Sequence, residues 1–252
     1  MKSAEILSNT DRTSWSRIFM VGRYFMPRLR WILWAYPLAA VIITFASVFL
    51  SELRPGATGS NFMNLLAYMI ALAPLALARR ADGELTFSLP ALGWEKCTFL
   101  FGFFLLAVPL LVMVPAEITA RLMDGDSALM LTGNVAVARL TGVSTFIALS
   151  FCMLAAQMVV CLWTVMGARR NRILFAVVFT ALVSVANAMA IGVVGAVVGF
   201  REAMAGKEMM TDMADITVEV LTVYSQWALP VMILFLLFAC LRCARTIARR
   251  QL

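Results

Sequence analysis

Apolar residues in this chain neither alternate nor recur singly; they run in blocks about as long as a bilayer is thick. Six blocks stand out: Trp31–Ser51, Phe62–Ala78, Cys97–Pro115, Leu140–Ala168, Ile173–Phe200 and Trp227–Cys243. A helix needs about 20 mostly apolar residues to cross roughly 30 Å of hydrocarbon. The pattern predicts six transmembrane helices. The second block contains Pro74, which blurs its ends. The fourth and fifth are long enough to tilt or project beyond the bilayer.

The segments between the blocks have characters of their own. Residues 1–14 are polar, and the first 30 do not read as a cleavable leader. Trp15, Ile18, Phe19, Gly22, Phe25, Met26 and Leu29 then fall at helical spacing, with Arg17, Arg23, Arg28 and Arg30 among them. A basic amphipathic helix carrying aromatics is the pattern of a segment lying in the membrane interface. Ser14 can cap it. Pro27 is expected to break or kink it, making an elbow before the first span. Glu52–Asn61 reads as a loop, and Asp124-Gly125-Asp126 marks a turn in the stretch 116–139. In 201–226, Met209, Met213, Ile216, Val220, Val223 and Tyr224 recur every three to four residues, as in a half-apolar helix near the membrane surface.

Two features invite a functional reading. The insert Arg79–Lys96 begins with two arginines and ends with Glu95-Lys96 at the lip of the third block. In the fifth block, Ser184, Ala188, Gly192 and Ala196 step by four, and Gly195-x-x-x-Gly199 overlaps them. Small residues at that spacing let helix backbones approach closely. The stripe is a candidate helix-packing or dimer contact, within the protomer or between two. Asn187 beside it can hydrogen-bond across.

The expected fold is therefore an all-α integral membrane protein. It has an N-terminal tail and amphipathic interface helix (1–30), a six-helix transmembrane domain (31–243) and a basic tail (244–252). The membrane domain includes the loop 79–96 and the outer helical segment 201–226.

Composition strengthens this picture. Of 252 residues, 62% are hydrophobic, and the mean hydropathy is +0.90. Charge supplies an orientation. With both termini and the loops after blocks two and four on one side, that side carries 16 of the 21 basic residues and five of the 14 acids. Its charge is +11 against −4 opposite, which recovers the net +7. The positive-inside rule makes that side cytoplasmic. The pI near 9.6 thus reflects topology and does not imply nucleic-acid binding.

Chemistry is conspicuous by what is missing from the sequence. There is no histidine, which removes Ser–His and Cys–His nucleophiles and most zinc hydrolases. No G-x-x-x-x-G-K-[ST] loop is present. The five cysteines form no disulfide framework, and Cys240-x-x-Cys243 lacks a second ligand pair for zinc. The span centres hold no carboxylate of the kind ion-coupled carriers use. Gln157, Asn187, Thr44, Ser47, Ser144 and Thr145 are polar groups within spans, read first as helix packing. A transporter-like topology without its own energy source implies energy from another polypeptide.

Residues 84–96, ELTFSLPALGWEK, carry a resemblance at this point. Leu89-Pro90-Ala91 and Glu95-Lys96 match an "LPAS-x-x-EK" phrase, with Leu92 in place of the serine. With the elbow helix, the six spans and the insert between spans two and three, the chain resembles an ABC-2 (type V, exporter-like) ABC transporter permease subunit, most of all the small Bacteroidetes type. The resemblance implies a coupling helix in the insert that docks on a separate ATPase. Asp82, Glu84, Glu95 and Lys96 would be its polar contacts; Phe87, Leu89, Leu92 and Trp94 its apolar ones; Pro90 its bend. Arg169–Arg172 would be a weaker second contact. It further implies a dimer with a second six-span permease, identical or not, in a bacterial inner membrane, with the stripe near the interface. ATP and Mg would be bound by the partner, no cofactor or metal by this chain, and an amphipathic or hydrophobic substrate would be exported. By itself the chain is not expected to be an enzyme. A non-transporting scaffold, sensor or immunity subunit of a larger complex is the alternative.

Overall fold

The computed structural model describes residues 14–53, 59–78, 93–123, 144–168, 171–204 and 213–249. Among the described residues every element is helical and none is a strand. Six helices follow in chain order: α1 Ser14–Leu53, α2 Gly59–Ala71, α3 Gly93–Met123, α4 Ser144–Gly167, α5 Arg172–Met204 and α6 Met213–Arg249. Five of them are long and apolar enough to cross a membrane; the exception is α2.

The expected elbow is not a separate element. Helix α1 runs 40 residues without interruption, with Pro27 and Pro37 inside it; at 1.5 Å per residue that is about 60 Å. Pro27 removes one ladder hydrogen bond, yet the packed face continues on both sides of it. Val21, Phe25, Leu29 and Ile32 recur every three to four residues and are all buried. Phe25 stacks on Phe99 of α3 with ring centroids 5.8 Å apart. A continuous apolar face against α3 outweighs one missing bond.

The second expected span, Phe62–Ala78, is divided. Helix α2 ends at Ala71, and a 3₁₀ helix, Ala73–Leu77, follows with Pro74 in its first turn. Pro74 has no N–H to give to the α-helical ladder, so the chain tightens instead. Leu75 N donates to Leu72 O at 3.0 Å and Ala78 N to Leu75 O at 2.9 Å.

Helix α3 widens into a π-helical stretch at Gly102–Ala107. Pro109 follows one residue beyond, after Val108, and its ring would clash with the carbonyl four residues earlier in a regular helix. Phe99, Phe103 and Phe104 line this region, Phe99 and Phe103 stacked and Phe104 edge-on to Phe103. The outer segment 201–226 is not a separate cap where it is described: 201–204 end α5 and 213–226 begin α6.

Helix α4 is the hub. It packs against α6, α5, α2 and the 3₁₀ turn that extends α2. Half of its apolar window is buried, against 11% for α5 and α6. The main core joins α1 (Phe25, Leu29), α3 (Phe104, Val108), α4 (Met158, Leu162) and α6 (Ile247). The outer faces of α5 and α6 stay apolar and exposed, including Val193, Val197, Leu234 and Phe238. Such faces are at home in lipid and would be costly in water.

Candidate functional site

Two places combine polar chemistry with a defined geometry. The first is the start of α3. Trp94 lies in its first turn, half exposed, and its carbonyl accepts the Thr98 hydroxyl at 2.9 Å. The next two residues turn inward: Glu95 and Lys96 are each only 1% exposed. Glu95 Oε1 lies 3.8 Å from Arg17 Nη1 on α1, and Arg17 is partly exposed. A carboxylate in a first helical turn also faces the favourable end of the helix dipole. The contact ties the front of α1 to the entry of α3. Gly22 tightens the same junction, because a Cβ there would sit 2.8 Å from Phe99 Cε2.

Of the expected insert contacts, Asp82, Glu84, Phe87, Leu89, Pro90 and Leu92 lie outside the described residues. Trp94 alone of the remaining three presents a broad surface; Glu95 and Lys96 face the chain's own interior. Arg17 carries no motif, so reasoning from the sequence placed it only among interface charges. In the Arg169–Arg172 loop, Asn171 adopts a left-handed φ of 50°, a conformation Asn tolerates. Arg172 Nε donates to the Ala168 carbonyl at 2.9 Å, closing the end of α4.

The second place lies among α4, α5 and α6. Gln157 Nε2 donates to Ser184 Oγ at 2.8 Å. Thr145 and Ser225 share a hydrogen bond of 2.7 Å. The Tyr224 hydroxyl donates to Asn187 Oδ1, and Arg201 pairs with Glu219. Ser47 is satisfied by the Ile43 carbonyl at 2.8 Å. Thr44 and Thr180 are buried hydroxyls with no hydrogen-bond partner among the described residues. A groove of about 670 Å³ opens between α5 and α6, backed by Val160 and Trp163 of α4, with Tyr224 and Asn187 in its lining. No charged residue lines it.

Protein-family models, curated proteins and solved structures were compared with this chain, and none matches. The functional reading therefore rests on the residues themselves.

The small-residue stripe is divided in space. Ser184 faces Gln157 of α4, and a Cβ on Gly195 would touch Val220 of α6 at 4.0 Å. Gly192 and Gly199 face open space, and Ala188 and Ala196 are exposed. One edge of the stripe is used inside the protomer and the other is uncovered. Among the described residues no group of three or more His, Cys, Asp or Glu is placed to hold a metal. All five cysteines are free thiols. Glu117 at the far end of α3 is bonded by Arg121 one turn on, at 2.7 Å. The groove-lining Trp163, Trp227 and Tyr224 gave no signal in the sequence beyond helical spacing, because a void is a property of three helices together.

Proposed function

We propose that this chain is the membrane-embedded subunit of an ATP-driven transporter of the ABC-2 permease kind, energised by a separate ATPase. One observation carries the reading: the polar insert leads straight into a helix start locked to α1 through Glu95 and Arg17, with Trp94 exposed beside it. A push received at the start of α3 reaches α3 directly and α1 through this contact. The ATPase contact then runs through the insert and Trp94, while Glu95 and Lys96 transmit inside the chain. The π-helical turn just beyond them is a place where α3 can change its winding, as such turns often are at functional sites.

In this reading the short second helix completes the six spans. Thirteen α-helical residues and five 3₁₀ residues reach about 30 Å together, because a 3₁₀ residue rises about 2.0 Å. Helix α1, about 60 Å long and uninterrupted, carries its basic front beyond the roughly 30 Å core on the cytoplasmic side. The open edge of the α5 stripe meets a second six-span subunit, the same chain or a homologous one. The groove among α4, α5 and α6 has no charged residue in its lining, which favours export of an amphipathic or hydrophobic molecule.

The test is co-purification in mild detergent with a P-loop ATPase present. The ATPase should come with the chain, and Trp94→Ala should weaken the stimulation of its ATP hydrolysis. Replacing residues 82–92 by a Gly/Ser linker should release it while the helices remain folded. Retention of the ATPase by the linker variant, or no ATPase bound by the native chain, refutes the reading and leaves a membrane scaffold or sensor.

A further inference from the structure

The outer side of α1 alternates apolar and cationic side chains. Phe19, Arg23, Met26, Arg30 and Trp34 follow at steps of three to four, which puts them in one stripe. All five are exposed, and the stripe faces away from the packed residues Val21, Phe25, Leu29 and Ile32. Its depth is set by two helices. The apolar window of α1 begins at Leu29. Helix α3 runs beside α1 in the same direction, with Glu95 at Arg17 and Phe99 at Phe25. After Trp94 in its first turn, large exposed apolar side chains resume on α3 at Leu106 and continue with Leu110 and Val114. Arg30 is five residues beyond Phe25 and Leu106 seven beyond Phe99, so both helices begin to face hydrocarbon near Arg30. Arg23, seven steps earlier, is about 10 Å further out. A headgroup layer of roughly 5–8 Å lies between these two levels.

The charge of this face is of one sign. From Ser14 to Ser51 the helix holds no acid. Arg17 is engaged with Glu95, whereas Arg23 and Arg30 form no ion pair among the described residues. A guanidinium presents a planar fork of donors that matches phosphate oxygens, and an arginine at the edge of hydrocarbon is costly without an anion or water beside it. Trp34, one turn deeper than Arg30, is at the level where an aromatic belt meets the glycerol region. A second copy of the chain suits the stripe less well. Among the described residues the acid at this end of the bundle is Glu95, buried against Arg17. Glu117 and Glu219 lie towards the opposite ends of α3 and α6, each paired with an arginine.

We propose that this stripe of α1 is a binding site for an anionic glycerophospholipid of the surrounding bilayer, whose phosphate is held between Arg23 and Arg30. Met26 and Trp34 pack on its glycerol and upper acyl carbons. The site selects net negative headgroups, because a zwitterionic lipid brings its own cation next to the phosphate. This needs membrane embedding and no ATPase, so it stands or falls separately from coupling to one.

The test uses the full chain in phosphatidylcholine vesicles with a trace of either phosphatidylglycerol or phosphatidylcholine, each bearing the same photoreactive group on the first carbons of one acyl chain. Crosslinks are mapped by peptide mass spectrometry. Over residues 19–34 the phosphatidylglycerol probe should label about 25-fold more than the phosphatidylcholine probe, and excess unlabelled phosphatidylglycerol should compete. One arginine near an anionic surface is worth about fivefold. Arg23→Gln and Arg30→Gln should each lower the preference by that factor, and the pair should erase it, while Arg30→Lys keeps most of it. Both positions face away from the packed side, so the unfolding midpoints should match the native one; either single variant serves if the pair does not fold. Arg242→Gln removes an equal charge from the exposed side of α6 near Cys243, which shares the core with Cys97, and should leave the preference intact. Equal labelling by the two probes, a preference that survives the paired substitution, or an equal loss with Arg242→Gln overturns the proposal. Crosslinks between two copies through Met26 or Trp34, with no lipid labelling there, also overturn it and give the face to a second copy.

Discussion

Gly22 offers the sharpest check on how α1 seats against α3. A Cβ built there lies 2.8 Å from Phe99 Cε2 and 3.2 Å from Cδ2, whereas one built on Gly192 of α5 meets nothing within 4 Å. Both glycines are inside helices, so Gly→Ala brings each the same gain in helix propensity, about 1 kcal/mol. The difference between the two variants isolates the contact. Phe99 cannot swing freely, because it stacks between Phe25 and Phe103 at centroid distances of 5.8 and 6.1 Å. Overpacking a filled site costs about 1–3 kcal/mol. Gly22→Ala should therefore fall about 1–3 kcal/mol below Gly192→Ala. At 2–4 °C per kcal/mol for a chain of this size, the gap in unfolding midpoint is roughly 2–12 °C. The assay is thermal unfolding of both variants in the same dilute detergent, at one scan rate because membrane proteins often unfold irreversibly. A Gly22→Ala midpoint at or above that of Gly192→Ala refutes the close α1–α3 packing.

Further expectations follow from individual side chains. Thr44→Val removes a buried hydroxyl that has no partner among the described residues, so it should stabilise by about 1 kcal/mol; a lowered unfolding midpoint contradicts this. Gln157→Leu breaks the bond to Ser184 and should cost about 0.6 kcal/mol; a transport defect at unchanged stability would instead make Gln157 a ligand-handling group. A double-mutant cycle of Arg17→Met and Glu95→Gln should show coupling of about 0.5–3 kcal/mol in unfolding free energy, reduced by the partial exposure of Arg17. Strict additivity would mean that the two helices are not joined through this pair.

Much of the fold was legible in the chain because lipid imposes a coarse rule. Backbone polar groups in hydrocarbon must be satisfied within the segment, so long apolar blocks become helices. Five of the six expected spans are helices of spanning length. The second was harder to read, since Pro74 changes the winding within an apolar run. The expected break at Pro27 failed for a related reason. A proline states what one hydrogen bond loses, while Phe25 and Leu29 on either side state what packing gains, and that gain exists only once α3 is in place.

The sequence by itself determined the helical class, the apolar blocks and the placing of a polar insert before α3, because each follows from residue type and period along one chain. It also singled out Glu95 and Lys96, though as surface contacts. Only the tertiary structure decided that both side chains turn inward, Glu95 towards Arg17 of α1, that the α5 stripe has one covered and one open edge, and that alanines on two helices leave a groove. Burial, a divided stripe and a void are relations between helices, and the spacing along a single helix does not say which neighbour it will meet.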